Sequence, residues 1–114
     1  MTVYERIRQC RLNKGMTQSE LAEIMGYTDR STIAKIETGK VDLFISKVSE
    51  FAKVFNVSPM YLMGWTVDAK LEDLGELFRE LNEEGQDKVF DYARDLVLSG
   101  AYKKHDFADM VEEA

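Results

Sequence analysis

The sequence predicts an all-α protein, with a five-helix domain over residues 1–66 and then a pair of helices with a tail in residues 67–114. Three observations predict it. Apolar residues recur at three- and four-residue spacing along most of the chain, capping residues and glycines punctuate those stretches, and no segment alternates with the period of two that a strand requires.

Val3, Ile7 and Cys10 follow helical spacing, with Thr2 able to cap the start and Gly15 to end it, which gives a first helix over residues 3–14. In TQSELAEIMG, Thr17 and Glu20 have capping-box spacing, and Leu21, Ile24 and Met25 form the apolar face. Gly26 then stops this second helix by taking the left-handed conformation. The third, RSTIAKIE, is capped by Thr28 or Asp29, buries Ile33 and Ile36, and stops at Gly39. FISKVSEFAKVFN sets Ile45, Val48, Phe51, Ala52 and Phe55 on one stripe and ends at Asn56, a residue type that tolerates positive φ. Ser58-Pro59 joins an N-cap to a proline at the first helical position, and Gly64 closes the short fifth helix, with Tyr61 and Trp65 expected to pack its end against the core.

After Trp65 a short polar linker is expected. Leu71, Leu74, Phe78 and Leu81 mark a sixth helix, and Asn82–Gly85 a turn. Val89, Tyr92, Ala93, Leu96 and Val97 form the stripe of a seventh, ended by Ser99-Gly100. The tail after it, through His105 to the last residue, has room for one or two more helical turns.

Length and composition narrow the function. A chain of 114 residues suits one domain, or a small domain with an appendage, and excludes a large multi-domain enzyme. No apolar run approaches the ~20 residues of a membrane helix, and MTVYERIRQC lacks the apolar core of a secretory signal, so a cytoplasmic protein without a membrane partner is expected. The one cysteine, Cys10, falls in an apolar series and reads as a buried thiol. Net charge is −6 but unevenly placed: residues 1–66 carry nine Lys/Arg against seven Asp/Glu, whereas residues 67–114 carry six against fourteen. The two parts therefore have different electrostatic roles.

Enzyme chemistry finds no inventory here. His105 stands alone in the tail, no Cys/His set has metal-ligand spacing, no glycine-rich loop follows a strand, and Glu83-Glu84 and Glu112-Glu113 read as solvated faces. No catalytic site, metal or cofactor is expected. What the spacing does offer is a second helix, a glycine turn and a third helix, the order in which a helix-turn-helix sets its second helix into the DNA major groove. Ala22 is small where the two helices approach, Ile33 and Ile36 hold the third helix from behind, and its opposite face carries Arg30, Ser31, Ala34, Lys35 and Thr38. That face is rich in groups that bond base edges and phosphates.

The stretches IRQCRLNKGMTQSELAEIMG, STIAKIETGK and VSPMYLMG make residues 5–64 resemble the phage-repressor family of the Cro and lambda-repressor type. One departure is that six residues, YTDRST, separate Gly26 from Ile33 where the usual family pattern has five. Residues 71–104 resemble the short acidic appendage of some such proteins from Gram-positive bacteria and their phages. The resemblance implies a lambda-repressor-like DNA-binding domain. By position it gives base contacts to Arg30, Ser31 and Lys35, phosphate contacts to Gln18, Thr28, Thr38, Gly39 and Lys40, and a structural pair to Arg11 and Glu37. Asp29 either caps the third helix or accepts from cytosine N4.

Phe90 and Leu98 lie off the main stripe of the seventh helix. Either they pack back on residues 1–66 or, as expected here, they join Val89, Tyr92 and Leu96 in an interface with a second copy. A homodimer on a pseudo-palindromic double-stranded operator follows, acting as a transcriptional repressor of a phage, mobile-element or bacterial operon. Two other functions compete: an antitoxin or adaptor whose acidic helices bind a protein partner such as an antirepressor, and a regulator that answers a peptide or other signal through a groove in the extra helices.

Overall fold

The computed structural model describes residues 1–104. Among them are seven α-helices and no strand: α1 (Val3–Asn13), α2 (Gln18–Met25), α3 (Arg30–Glu37), α4 (Ile45–Phe55), α5 (Pro59–Leu62), α6 (Val67–Glu80) and α7 (Glu83–Ser99). His105 and the further helical turns expected of the tail lie outside the described residues.

Local chemistry explains most helix ends. Thr2 Oγ1 accepts the Glu5 N–H at 3.2 Å, and Thr17 and Glu20 form a reciprocal capping box on α2. Of the two residues able to cap α3, Asp29 does so, its carboxylate accepting the Ser31 N–H at 2.8 Å. Gly26 adopts φ 78° and Asn56 φ 57°, so α2 and α4 both end on a left-handed residue. Ser58 caps α5 with Pro59 in its first turn.

α1 to α5 enclose one core in which Ile7, Leu21, Ile33, Ile36, Phe51, Phe55 and Leu62 are buried, with the Phe51 and Phe55 rings stacked 6.2 Å apart. Three apolar residues expected to pack inward are exposed. Ile24 lies about a sixth of a turn outside the arc that Leu21, Ala22 and Met25 present to the core, Ile45 occupies the first residue of α4 past the core's edge, and Trp65 follows the last turn of α5.

The expected polar linker after Trp65 is helix instead. Thr66 Oγ1 accepts the Ala69 N–H at 3.1 Å, which starts α6 at once and buries Ala69. The cause is Arg6, whose side chain is 0% exposed in the middle of α1. Its guanidinium meets Glu72 at 2.9 Å, Asp73 at 2.8 Å and the Ala69 carbonyl at 3.4 Å, and lies 5.3 Å over the Tyr61 ring. The Tyr61 hydroxyl donates to Glu72 at 2.7 Å, and the terminal amino group of Met1 stands 3.4 Å from Asp73. Burial, and then the Glu72 carboxylate, push the Tyr61 phenol up to about 12. Burial likewise raises the Cys10 thiol, as expected of a core cysteine.

The chain divides into two compact units inside α6, Met1–Leu74 and Gly75–Ala114. In the second unit Asn82 Oδ1 accepts the Gly85 N–H at 2.9 Å, so the expected turn Asn82–Gly85 is the cap and first turn of α7. Gln86 Nε2 donates to the Phe78 and Leu81 carbonyls at 3.0 and 3.2 Å, closing the corner, and Phe78 meets Phe90 edge to face at 5.5 Å. No residue of α7 is buried. Val89 and Leu96 are half-buried, and Phe90, Tyr92, Val97 and Leu98 are exposed.

Candidate nucleic-acid interface

α3 is held from three sides. Ile33 and Ile36 sit in the core behind it, it packs on α1 and α2, and Glu37 at its last turn is 6% exposed. A buried carboxylate needs a full set of donors. Arg11 of α1 supplies a two-pronged contact, Nε to Oε2 at 2.7 Å and Nη2 to Oε1 at 3.1 Å, while its Nη1 donates to the Met16 carbonyl at 2.9 Å. Gln18 Nε2, on the first residue of α2, adds a third donor to Glu37 at 3.2 Å. One carboxylate thus ties α3 to α1 and to the start of α2.

The opposite face is open. Arg30, Ser31 and Lys35 are exposed, and neither Arg30 nor Lys35 has an ion-pair partner among the described residues. Thr28, Asp29 and Arg30 continue this face along an open groove between α2 and the start of α3, which Ser19 and Glu23 line from the other side. Of the six residues between Gly26 and Ile33, Tyr27, Thr28 and Asp29 make the turn, and Arg30, Ser31 and Thr32 open α3.

At the far end of α3 several donors are already committed. The Thr38 hydroxyl donates to the Ala34 and Lys35 carbonyls at 3.0 and 3.1 Å, the Gly39 N–H to Ile36 at 3.0 Å, and the Lys40 N–H to Lys35 at 3.0 Å. Gly39 holds φ 74°, and a Cβ there would lie 3.3 Å from the Tyr4 ring, so the corner requires glycine. The Lys40 ammonium remains as its free donor among the described residues. Gln18 divides its amide in the same way: one N–H goes to Glu37, and the second has no partner among the described residues.

The Asp29 carboxyl is held below its ordinary range, first by the Ser31 hydroxyl, which donates to Oδ1, and next by the Ser31 backbone N–H. Sequence spacing had assigned Ser31 a position on the face but not this partner. The signal was present in the order Asp-Arg-Ser, which puts a hydroxyl two residues after a capping carboxylate.

Residues 7–62 match the protein family described as Helix-turn-helix. They are a helix-turn-helix domain. α2 and α3 are its two named helices, and the Glu37 network is what holds their angle. The chain is 31% identical over 62 residues to an uncharacterized HTH-type transcriptional regulator, YonR, derived from the SPbeta prophage of Bacillus subtilis (strain 168). That match covers 54% of this chain and 56% of the relative, so the likeness spans little more than half of either. A solved structure titled as a SinR protein/SinI protein complex shares the fold, with a TM-score of 0.51 at 24% identity over 82% of this chain and 95% of that one. This chain and that one therefore share a fold over most of their lengths. Among the described residues no helix is long and apolar enough to cross a membrane.

Proposed function

We propose that this chain is a transcriptional regulator that binds double-stranded DNA by setting α3 into the major groove, and that it acts as a repressor of a phage, mobile-element or bacterial operon. The observation that carries the reading is the contrast between the two faces of α3. One is locked by Ile33, Ile36 and the Arg11–Glu37–Gln18 network, while the other offers Arg30, Ser31 and Lys35 to solvent. A face with donors at fixed positions is what direct readout of base edges requires, with Arg or Lys suited to guanine O6 and N7. Lys40, Gln18 and Thr28 stand at the two ends of this face, where phosphates would pass; Thr38 and Gly39 would reach a phosphate only by sharing donors they already use. The prophage relative, by its name a transcriptional regulator, supports the same reading. The work is one of binding, so no cofactor or catalytic residue enters it.

The regulator works as a homodimer on a pseudo-palindromic operator, paired through Val89, Phe90, Tyr92, Leu96 and Leu98 of α7. A second occupant for the same surface is a different protein, and the observation that favours it is also the exposed apolar face of α7.

Lys35→Ala is expected to weaken operator binding by about 1–3 kcal/mol and to relax the base preference, because a major-groove contact is lost. Lys40→Ala is expected to weaken all sequences alike and to flatten the dependence of log affinity on log salt by about one unit of slope. Binding isotherms on operator and scrambled duplexes at several salt concentrations read both. Unchanged specificity in Lys35→Ala would remove the base-reading role.

A further inference from the structure

We propose that Asp29 turns Ser31 into a hydrogen-bond acceptor toward DNA, so that the base facing the first turn of α3 is selected for an exocyclic amino group, cytosine N4 or adenine N6. The inference rests on the DNA-reading role of α3 proposed above.

A serine hydroxyl has one proton and two lone pairs, so a free serine accepts from and donates to bases alike and discriminates little. Ser31 is not free. Its hydroxyl donates to Asp29 Oδ1, and the same oxygen accepts the Ser31 backbone N–H at 2.8 Å. The proton is thereby committed to the cap, and only lone pairs are left for a base. Both residues are exposed, and the two bonds from Ser31 hold the Asp29 carboxyl below its ordinary range, so it stays ionised wherever the protein is folded near neutral pH.

The Asp29–Ser31 pair is therefore an acceptor patch carrying a negative charge at the start of α3, with the cation Arg30 between the two in sequence and Lys35 one turn further on. Guanine offers the acceptors N7 and O6 to the major groove and thymine offers O4, so either would set lone pair against lone pair beside a carboxylate. Adenine offers the N6 donor next to N7. Cytosine offers only the N4 donor there, and is the best match. The residue that a capping argument treats as helix punctuation thus also sets a specificity, since the cap and the acceptor share one carboxylate.

The test begins with selection of bound duplexes from a random pool by the full chain, by Ser31→Ala and by Asp29→Gly. Glycine keeps most of the capping stability, and circular dichroism verifies helix content. One position of the selected site is expected to show cytosine or adenine with the natural chain and to lose that preference in Ser31→Ala. In Asp29→Gly the freed hydroxyl proton is expected to admit guanine and thymine at the same position. A base analogue without the amino group should cost the natural chain about fivefold in affinity and cost Ser31→Ala nothing further. If the natural chain enriches no sequence at all, the proposed function fails. If it enriches a sequence but the Ser31-dependent position carries guanine or thymine, or no position responds to Ser31→Ala, the inference alone is overturned. An unchanged preference in a folded Asp29→Gly chain would likewise overturn it.

Discussion

Glu37→Ala is expected to destabilise the helix-turn-helix domain by about 3–5 kcal/mol, the cost of leaving a buried cation without its counter-charge. The Arg11 and Glu37 side chains are 8% and 2% exposed, so water cannot replace the lost carboxylate without opening the junction of α1, α2 and α3. A domain of this size has a total stability of about 5–15 kcal/mol, so the loss should lower the melting temperature by on the order of 20 °C. Glu37→Gln keeps an acceptor oxygen and should fall between the two. The double substitution Arg11→Met with Glu37→Leu removes both charges and should recover much of the stability, because a buried ion pair is expensive to break and cheap to replace. Thermal and urea melts of the four proteins measure this, and a Glu37→Ala chain that melts within a few degrees of the natural one would show that the pair does not hold α3 in place. Because α3 is angled by this same contact, operator affinity should fall with stability in Glu37→Ala and return only in part in the double variant.

The caps and glycines were legible in the sequence because each acts over three or four residues. Thr17 with Glu20, Gly26, Asn56 and Ser58-Pro59 end their helices by local chemistry, and no distant contact overrules them. What spacing could not show is which groups are already spoken for. Gln18, Thr38 and Gly39 occupy positions where a phosphate contact was expected, yet each gives a donor to a partner that only the folded chain brings near or that the helix end itself supplies. Arg6 is the clearest case of a missed residue. It lies three residues after Val3 and four before Cys10, on the buried stripe of α1, and a charge on a stripe is a sign that some distant counter-charge must cover it. Its partners, Glu72 and Asp73, are 66 and 67 residues away, beyond any local pattern. The same long-range clasp accounts for the absence of the linker expected after Trp65, since it draws the acidic start of α6 onto the first unit.

A chain ending at Leu74 is expected to fold as a monomer and to bind operator DNA at least about 10²-fold more weakly than the full chain, because linked pairing of two binding units multiplies affinity by about 10²–10⁴. The argument starts from α7, seventeen residues with none buried, on which Tyr92, Val97 and Leu98 are exposed beside the half-buried Val89 and Leu96. Helices this short gain their stability from covering an apolar face, and in the proposed dimer this face of α7 is the one covered. A second copy is the occupant that also serves DNA binding. One domain contributes few phosphate and base contacts, and two-fold pairing doubles both over half-sites one DNA turn apart. The position of the cut matters. Ending at Thr66 instead would remove Ala69, Glu72 and Asp73 from around Arg6 and uncover the core beneath α6, at an expected further cost on the order of 2 kcal/mol, small because water can then reach the guanidinium. Sedimentation equilibrium of the full chain and both truncations, with melts and DNA titrations of each, separates these effects. A full chain that is monomeric at micromolar concentration would remove the dimer, a Leu74 truncation that still dimerises would place the interface elsewhere, and a Thr66 truncation as stable as the longer one would deny the Arg6 clasp its structural part.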